Sequence, residues 1–198
     1  MTAASPQAWL LLVHHLPPRP TRLRVRVWRQ LQKLGAVVVK NSVYVLPSSD
    51  KTLEDFTWLQ QEINSGGGGA VVFEARSVAG ATDAEIIAAF RKERGEAYRR
   101  LLLSLRSLER RITGARRGSD PVRAELTDLE VEMKTMQAEF TRITEMDVFK
   151  ASGRAEAEKA LERCRTLLRS IQGRSSKPPR RAGGGSHRRD PAQYQGRL

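Results

Sequence analysis

The spacing of apolar residues changes once along this chain, near residue 80, and that change limits the fold more than any other feature. Before it, apolar side chains come in short runs: Ala8-Trp9-Leu10-Leu11-Leu12-Val13, Val37-Val38-Val39, Val43-Tyr44-Val45-Leu46 and Ala70-Val71-Val72-Phe73. Such runs, rich in β-branched residues and bounded by Pro, Gly or Asn-Ser, read as strands. Lys40-Asn41-Ser42 serves as a turn or bulge between the second and third. Between the other runs the spacing is helical. Thr21 is the expected N-cap of a helix from Arg22 to Leu34, stopped by Gly35. Leu23, Val27, Leu31 and Leu34 share one of its faces. A second helix, about Asp50 to Asn64, is expected to bury Leu53, Phe56 (or Trp58), Leu59 and Ile63. The order β-α-β-β-α-β is the ferredoxin-like pattern, so the fold class is α+β.

Beyond residue 80 the pattern is wholly helical. Thr82-Asp83-Ala84-Glu85 is a capping box that opens a long helix with Phe90, Ala97, Leu101, Leu105, Leu108 and Ile112 at 3–4 spacing and Arg94 as the exception. Gly114 to Gly118 is expected to break it, and Asp120-Pro121 to restart one. Val122, Leu126, Leu129, Met133, Met136, Phe140 and Ile143 then alternate 4 and 3, and after a break near Asp147 to Gly153, Ala157, Leu161, Cys164, Leu168 and Ile171 repeat the pattern. These stripes predict antiparallel coiled-coil packing, with methionines filling gaps. The stripe from Val122 to Ile143 reaches further than one neighbour needs, which predicts a homodimer. The organisation expected is a basic ferredoxin-like domain at 1–79, a helical region at 80–172 forming a hairpin or three-helix unit, and a disordered basic tail at 173–198.

Charge is distributed unevenly. The formal net charge is +13 over 198 residues. Residues 1–46 hold seven cations (Arg19, Arg22, Arg24, Arg26, Arg29, Lys33 and Lys40) and no Asp or Glu. The tail adds seven cations against Asp190 alone. Positive charge at both ends implies a polyanionic partner, nucleic acid before anionic membrane. No apolar run approaches the roughly 20 residues of a membrane span, and the start lacks a secretory pattern, so a cytoplasmic location without a membrane partner is expected. The single cysteine, Cys164, excludes an intramolecular disulfide and a cysteine-based zinc site.

The sharpest local feature is the row Arg22, Arg26, Arg29 and Lys33, spaced 4, 3 and 4, which lies within roughly 60° around a helix. A solvated face normally interleaves acids for i,i+4 pairing, and none occur here. Guanidinium groups on a rigid helix pair with phosphates or guanine edges. The bland alternative is an ordinary solvated surface. His14-His15 closes the first strand, with the two rings on opposite faces, so they do not chelate one metal. Either ring, with Arg19 and Lys40, is a weak candidate for contacting an oxyanion. Gly66 to Gly69 lacks a following Lys-Ser/Thr and precedes a strand, so it reads as a flexible connector rather than a phosphate loop. No catalytic constellation, cofactor motif or metal cluster is found, and the chain is expected not to be an enzyme.

Trp9 to Pro47 resembles the amino-terminal domain of the chromate-resistance regulators of the ChrB type. The marks are Leu16-Pro17-Pro18, the run from Arg24 to Ala36 and Lys40-Asn41-Ser42-Val43-Tyr44-Val45-Leu46-Pro47. The likeness continues through Phe56 to Ile63, Ala70 to Ala75, Val78-Ala79-Gly80 and Ala84 to Ile87, and more loosely through Met146-Asp147-Val148-Phe149 and Gly153 to Glu158. It implies transcriptional control of chromate-efflux operons, with double-stranded DNA and a chromate or other oxyanion effector as partners. The first domain is also similar to the module of phenylacetate-catabolism repressors and small CRISPR-associated nucleases. In those nucleases an Asp closes the first strand; His14-His15 stands there in this chain, which argues against metal-dependent cleavage. Full-length chromate regulators carry a further carboxy-terminal domain associated with the anion, where this chain has its basic tail. The expected interface is Arg19, Arg22, Arg24, Arg26, Arg29, Lys33 and Lys40, and the rival reading is a nucleic-acid or protein-interaction accessory without an operator of its own.

Overall fold

The computed structural model describes residues 8–19, 21–80, 82–117 and 123–175. Its elements are β1 (Trp9–His15), α1 (Thr21–Leu34), β2 (Val37–Lys40), β3 (Val43–Pro47), α2 (Asp50–Ser65), β4 (Gly69–Ala75), α3 (Asp83–Arg117), α4 (Arg123–Glu145) and α5 (Arg154–Ser175). The class is α+β. The four strands form one sheet in the order β2-β3-β1-β4, with every neighbouring pair antiparallel. The expected basic tail beyond residue 175, and the expected restart at Asp120-Pro121-Val122, lie outside the described residues.

Register follows from which main-chain groups point to which neighbour. Main-chain groups of successive strand residues point alternately to the two sides. His14 N–H donates to Ser42 O at 3.1 Å, and Ala8 O accepts from Ser48 N–H at 3.0 Å, so the even residues of β1 bond toward β3. Trp9, Leu11, Val13 and His15 therefore bond toward β4, opposite Ala75, Phe73, Val71 and Gly69. Side chains alternate likewise. Leu10, Leu12 and Leu46 lie in one core cluster with the buried stripes of α1 (Leu23, Val27, Leu31) and α2 (Phe56, Leu59, Ile63). On the other face Trp9 stacks on Phe90 of α3, ring centroids 5.9 Å apart at 8°, tilts against Phe149, and donates its indole N–H to Asp83 at 2.8 Å.

Several expectations need correction. On α2, Leu53 is 48% exposed and Trp58 67%, while Phe56 is fully buried. Phe56, Leu59 and Ile63 already define a buried stripe, and Leu53 and Trp58 fall to either side of it. The helix start also has a cap the sequence reading passed over: Ser49 and Thr52 bond reciprocally. The turn after α2 is tight rather than a loose connector, because a Cβ at Gly68 would sit 2.8 Å from His15 O. β2 extends through Lys40, with the register shift between Val38 and Lys40 and the turn at Asn41-Ser42.

The helical part forms an up-down-up bundle. Thr82 and Glu85 close the expected capping box at the start of α3, with Glu85 N–H donating to Thr82 Oγ1 and Thr82 N–H to Glu85 Oε2. The helix then runs through Gly114 to Arg117 instead of stopping at Gly114. Tyr98, not Ala97, takes the fully buried position, in step with Leu101, Leu105, Leu108 and Ile112. α4 returns antiparallel, and α5 runs parallel to α3: Gly153 sits against Tyr98 and Cys164 against Leu105. The α4 stripe is consumed inside this bundle, with Leu129, Met133 and Ile143 buried and Leu126, Met136 and Phe140 packed on the same core. It does not supply the spare face on which the homodimer expectation rested.

Two buried groups give direct tests. Burial pushes the Cys164 thiol up to about 11, and its sulfur donates weakly to Leu105 O at 3.5 Å. Thiolate is the reactive form. A thiol reagent at neutral pH should therefore modify Cys164 only as fast as the bundle opens, and labelling should accelerate sharply in denaturant; fast labelling of the native protein would show that the bundle core is not closed there. The second group is His14, whose ring stacks on Tyr44 with centroids 5.6 Å apart and whose two nitrogens are buried without hydrogen-bond partners among the described residues. Desolvation, and secondarily the neighbouring His15, lower its pKa below the ordinary 6.5. A depressed folded-state pKa means that the unfolded chain binds the proton more readily, so this stability is full above 6.5 and is lost as pH falls below it. His14→Phe, which keeps the stacking, should lose less stability than the parent between about pH 7 and pH 5 in denaturant titrations; equal losses would show that His14 is not the responsible group.

Candidate nucleic-acid interface

α1 is amphipathic in the strict sense: its buried stripe of Leu23, Val27 and Leu31 holds it to the core, and the helix contains no acid to offset its cations. Arg22, Arg26, Arg29 and Lys33 lie together along one exposed side, lining an open groove with Thr21, Val25 and Gln30. Helical geometry makes this inevitable once the apolar stripe is fixed, because the two sets are offset by more than a quarter turn. Like charges at these spacings weaken an isolated helix by a few tenths of a kcal/mol per pair, so the stripe depends on tertiary packing for its rigidity.

The surroundings give the stripe two unlike flanks. On one side α2 supplies Glu62, whose carboxylate accepts from Arg26 Nη1 at 3.2 Å in an exposed pair. Asp55, Glu62 and exposed Trp58, with Gln30 and Leu34 of α1, line the groove between the two helices. On the other side stand Arg24 and Trp28, the latter 56% exposed. A polyanion on α1 is thus repelled by α2 and admitted on the Trp28 side. Among the described residues, Arg22, Arg29 and Lys33 have no ion-pair partner. Arg24 lies about half a turn away from the stripe and cannot share a contact with it. Arg19 is exposed just before α1, and Lys40 is exposed at the end of the β2 edge. The structure therefore brings four of the seven expected cations together and leaves Arg19, Arg24 and Lys40 apart from them.

The two histidines separate as alternation requires. His15 is exposed and shares a sheet face with Lys40, since Lys40, Val43 and Val13 lie in one row. His14 is on the opposite face against Tyr44, and burial lowers its pKa, which disfavours the cationic form that an oxyanion contact needs. Among the described residues, no three His, Cys, Asp or Glu side chains gather as a metal site, and no helix is long and apolar enough to cross a membrane.

What sequence reasoning missed is the support behind the stripe. Arg94 is 7% exposed in α3 and reaches the turn that ends α1: its Nη2 points at Gly35 O at 3.5 Å and donates to Glu93 at 3.2 Å, and its Nη1 lies 3.4 Å from Met146 Sδ. Gly35 has φ +71°, and a Cβ there would meet Met146 Sδ at 3.0 Å and Arg94 Nη1 at 3.1 Å. The loop after α4 is held in turn by Asp147, which accepts from Ala151 N–H at 2.8 Å and from Tyr98 OH at 3.2 Å. Met146, Asp147 and Phe149 thus form the joint between the sheet and the bundle. A polar exception in an otherwise apolar stripe was the one available signal, at Arg94.

The family model described as Protein ChrB, N-terminal, matches residues 24–175, from within α1 to the end of α5. Protein ChrB of Cupriavidus metallidurans (strain CH34) is similar at 29% identity over 195 residues, covering 98% of this chain and 56% of that relative. The chain spans just over half the length of this curated relative. Because the family match runs over residues 24–175, well over half of the chain, and takes in most of α1, strands β2 to β4, the joint and all three helices of the bundle, the chain belongs to the ChrB amino-terminal domain family.

Proposed function

We propose that this chain is a DNA-binding transcriptional regulator linked to chromate resistance, and that α1 is its phosphate-contacting element. The observation that carries the reading is the acid-free stripe Arg22, Arg26, Arg29 and Lys33, exposed along one rigid helix. Arg26 starts out paired to Glu62, so it changes partners when DNA arrives. An exposed pair of that kind is worth about 0–1 kcal/mol, little enough for phosphate to displace. Exposed Trp28 lies on the flank away from α2, while Arg24, about half a turn from the stripe, is left outside the footprint. We take the α+β unit to be ferredoxin-like on its element order and its strand order β2-β3-β1-β4. The sheet of residues 1–79 serves as the platform and the helices of 80–172 as its brace. The reading assigns no catalytic role to any residue.

Each phosphate neutralised contributes about −0.9 to the slope of log affinity against log salt. Replacing Arg22, Arg26, Arg29 and Lys33 together by Ala should flatten that slope for duplex DNA by about 3 to 4, while the melting temperature moves by a few degrees at most. An unchanged slope would reduce the stripe to a solvated face and favour the accessory reading instead.

The link to chromate resistance makes an oxyanion effector worth testing, and the described residues offer it only surface cations: His15, Arg19 and Lys40 are exposed, and burial disfavours the cationic form of His14. A tetrahedral dianion needs converging buried donors to be chosen over its analogues. Chromate and sulfate at equal ionic strength are therefore expected to release DNA from this chain equally. Selective release by chromate would reveal a dedicated anion site and overturn that expectation.

A further inference from the structure

The sheet has two outer edges, and they are built differently. β2 is four residues long, carries a register shift between Val38 and Lys40, and ends in lysine. Shortness, a bulge and a lysine each discourage another strand from pairing. β4 is seven residues long, keeps unbroken register with β1, and contains no Pro, Lys or Arg. Since Val71, Phe73 and Ala75 bond toward β1, the main-chain groups of Ala70, Val72 and Glu74 point outward. Those of Ala70 are taken: its N–H donates to Asn64 Oδ1 at 2.8 Å, and its carbonyl accepts from Gln60 Nε2 at 3.4 Å. Val72 and Glu74 have no such cover among the described residues. The Glu74 side chain is drawn inward, its carboxylate accepting from Ser48 Oγ at 3.0 Å, so a strand arriving at this edge strands no unpartnered charge. On the outer face Val71 and Phe73 are each 51% exposed beside Val13 at 38%.

We propose that the β4 edge is a homodimer interface, in which β4 strands of two copies pair antiparallel about a twofold axis at Phe73. Axis position is set by which groups are free. With the axis at Phe73, Val72 of each copy faces Glu74 of the other, and the two pairs exchange four N–H···O=C bonds from groups that are otherwise open. Phe73 then faces Phe73 in the non-hydrogen-bonded position, where Cα atoms come within about 4.5 Å and side chains are closest. Val71 faces Ala75. Moving the axis to Val72 would call on the Ala70 groups that α2 already holds. The strand carries no cation, and its one acid, Glu74, stands opposite Val72 and only diagonal to the other copy's Glu74, with its carboxylate held by Ser48, so no like charges are directly opposed across the join. The interface is self-complementary, as a twofold contact must be. Two strand edges and one aromatic pair bury less than the roughly 1,200 Å² at the lower end of stable complexes. The dimer is therefore a weak one that forms as concentration rises.

Thiol cross-linking reads the register directly, because the buried Cys164 leaves an introduced cysteine as the reactive thiol. Under mild oxidation, Phe73→Cys should form a disulfide-linked dimer at least about tenfold faster than Val71→Cys, since a twofold at Phe73 puts only the former within the Cα separation a disulfide accepts. Equal rates, or no linkage at Phe73, overturn the proposal. In sedimentation equilibrium on the full chain, Val72→Pro, which removes an outward N–H and no bond to β1, should weaken association about tenfold or more. Phe73→Lys, a change at a half-exposed position, should do the same and decides the matter if the proline variant melts early. Association unchanged in a folded variant overturns the interface. The inference stands apart from DNA binding: cross-linking that persists when the four stripe cations are alanine supports it, whatever that variant does to DNA.

Discussion

Burial of Trp9 organises the rest of this molecule. An indole at the start of the central strand, on the face opposite α1 and α2, needs a second layer to cover it, and the first turns of α3 with Phe149 provide one. A fully buried ring of that size removes some 150–250 Å² from water, worth about 4–6 kcal/mol at 25 cal/mol per Å², and its N–H finds Asp83. α3 is therefore a member of two cores at once: Phe90 belongs to the sheet's cluster and Tyr98 onward to the bundle's. Arg94 sits between them and ties the end of α1 to the same joint. The basic helix is thus fixed from beneath by its apolar stripe and from its C-terminal end by a guanidinium.

How much of this could be read from the residues depended on the distance to their partners. The α1 stripe was legible because both the apolar set and the cations repeat within one helix. The strands were legible from their β-branched runs, and the capping box at Thr82 from a local reciprocal pair. Arg94 was legible only as an anomaly, since Gly35 is 59 residues away in sequence. Asp147 meets Tyr98 across 49 residues, and its segment registered as a break between helices and as part of a family likeness, not as a joint. On α2 two hydrophobic registers competed, and Leu53 and Trp58 lost to Phe56, Leu59 and Ile63 because only one stripe can face the sheet. The regular α4 stripe misled in a different way: periodicity tells that a face is covered, not whether the cover comes from the same chain.

Charge is segregated between adjacent helices rather than mixed over the surface. α1 has cations alone, while α2 sets Asp55 and Glu62 along the shared groove. Separation of this kind adds little to stability at exposed sites, where ion pairs contribute about 0–1 kcal/mol. It does shape the field: a polyanion approaching the α/β unit meets attraction on one helix and repulsion on the next, which orients it before contact is made. Exposed Trp28, on the side away from α2, gives that orientation an aromatic surface to use.

The length of α3 has a mechanical meaning. Thirty-five residues in one unbroken helix make a rod about 52 Å long, clamped near one end by Trp9, Phe90 and Arg94. A rocking of about 5° at the clamp would carry its far end, roughly 35–40 Å away, through about 3 Å, well beyond the sub-ångström shifts that a packed core absorbs. The bundle is in this sense a pointer attached to the sheet. Whatever presses on its tip acts through a long arm on the turn that closes the basic helix.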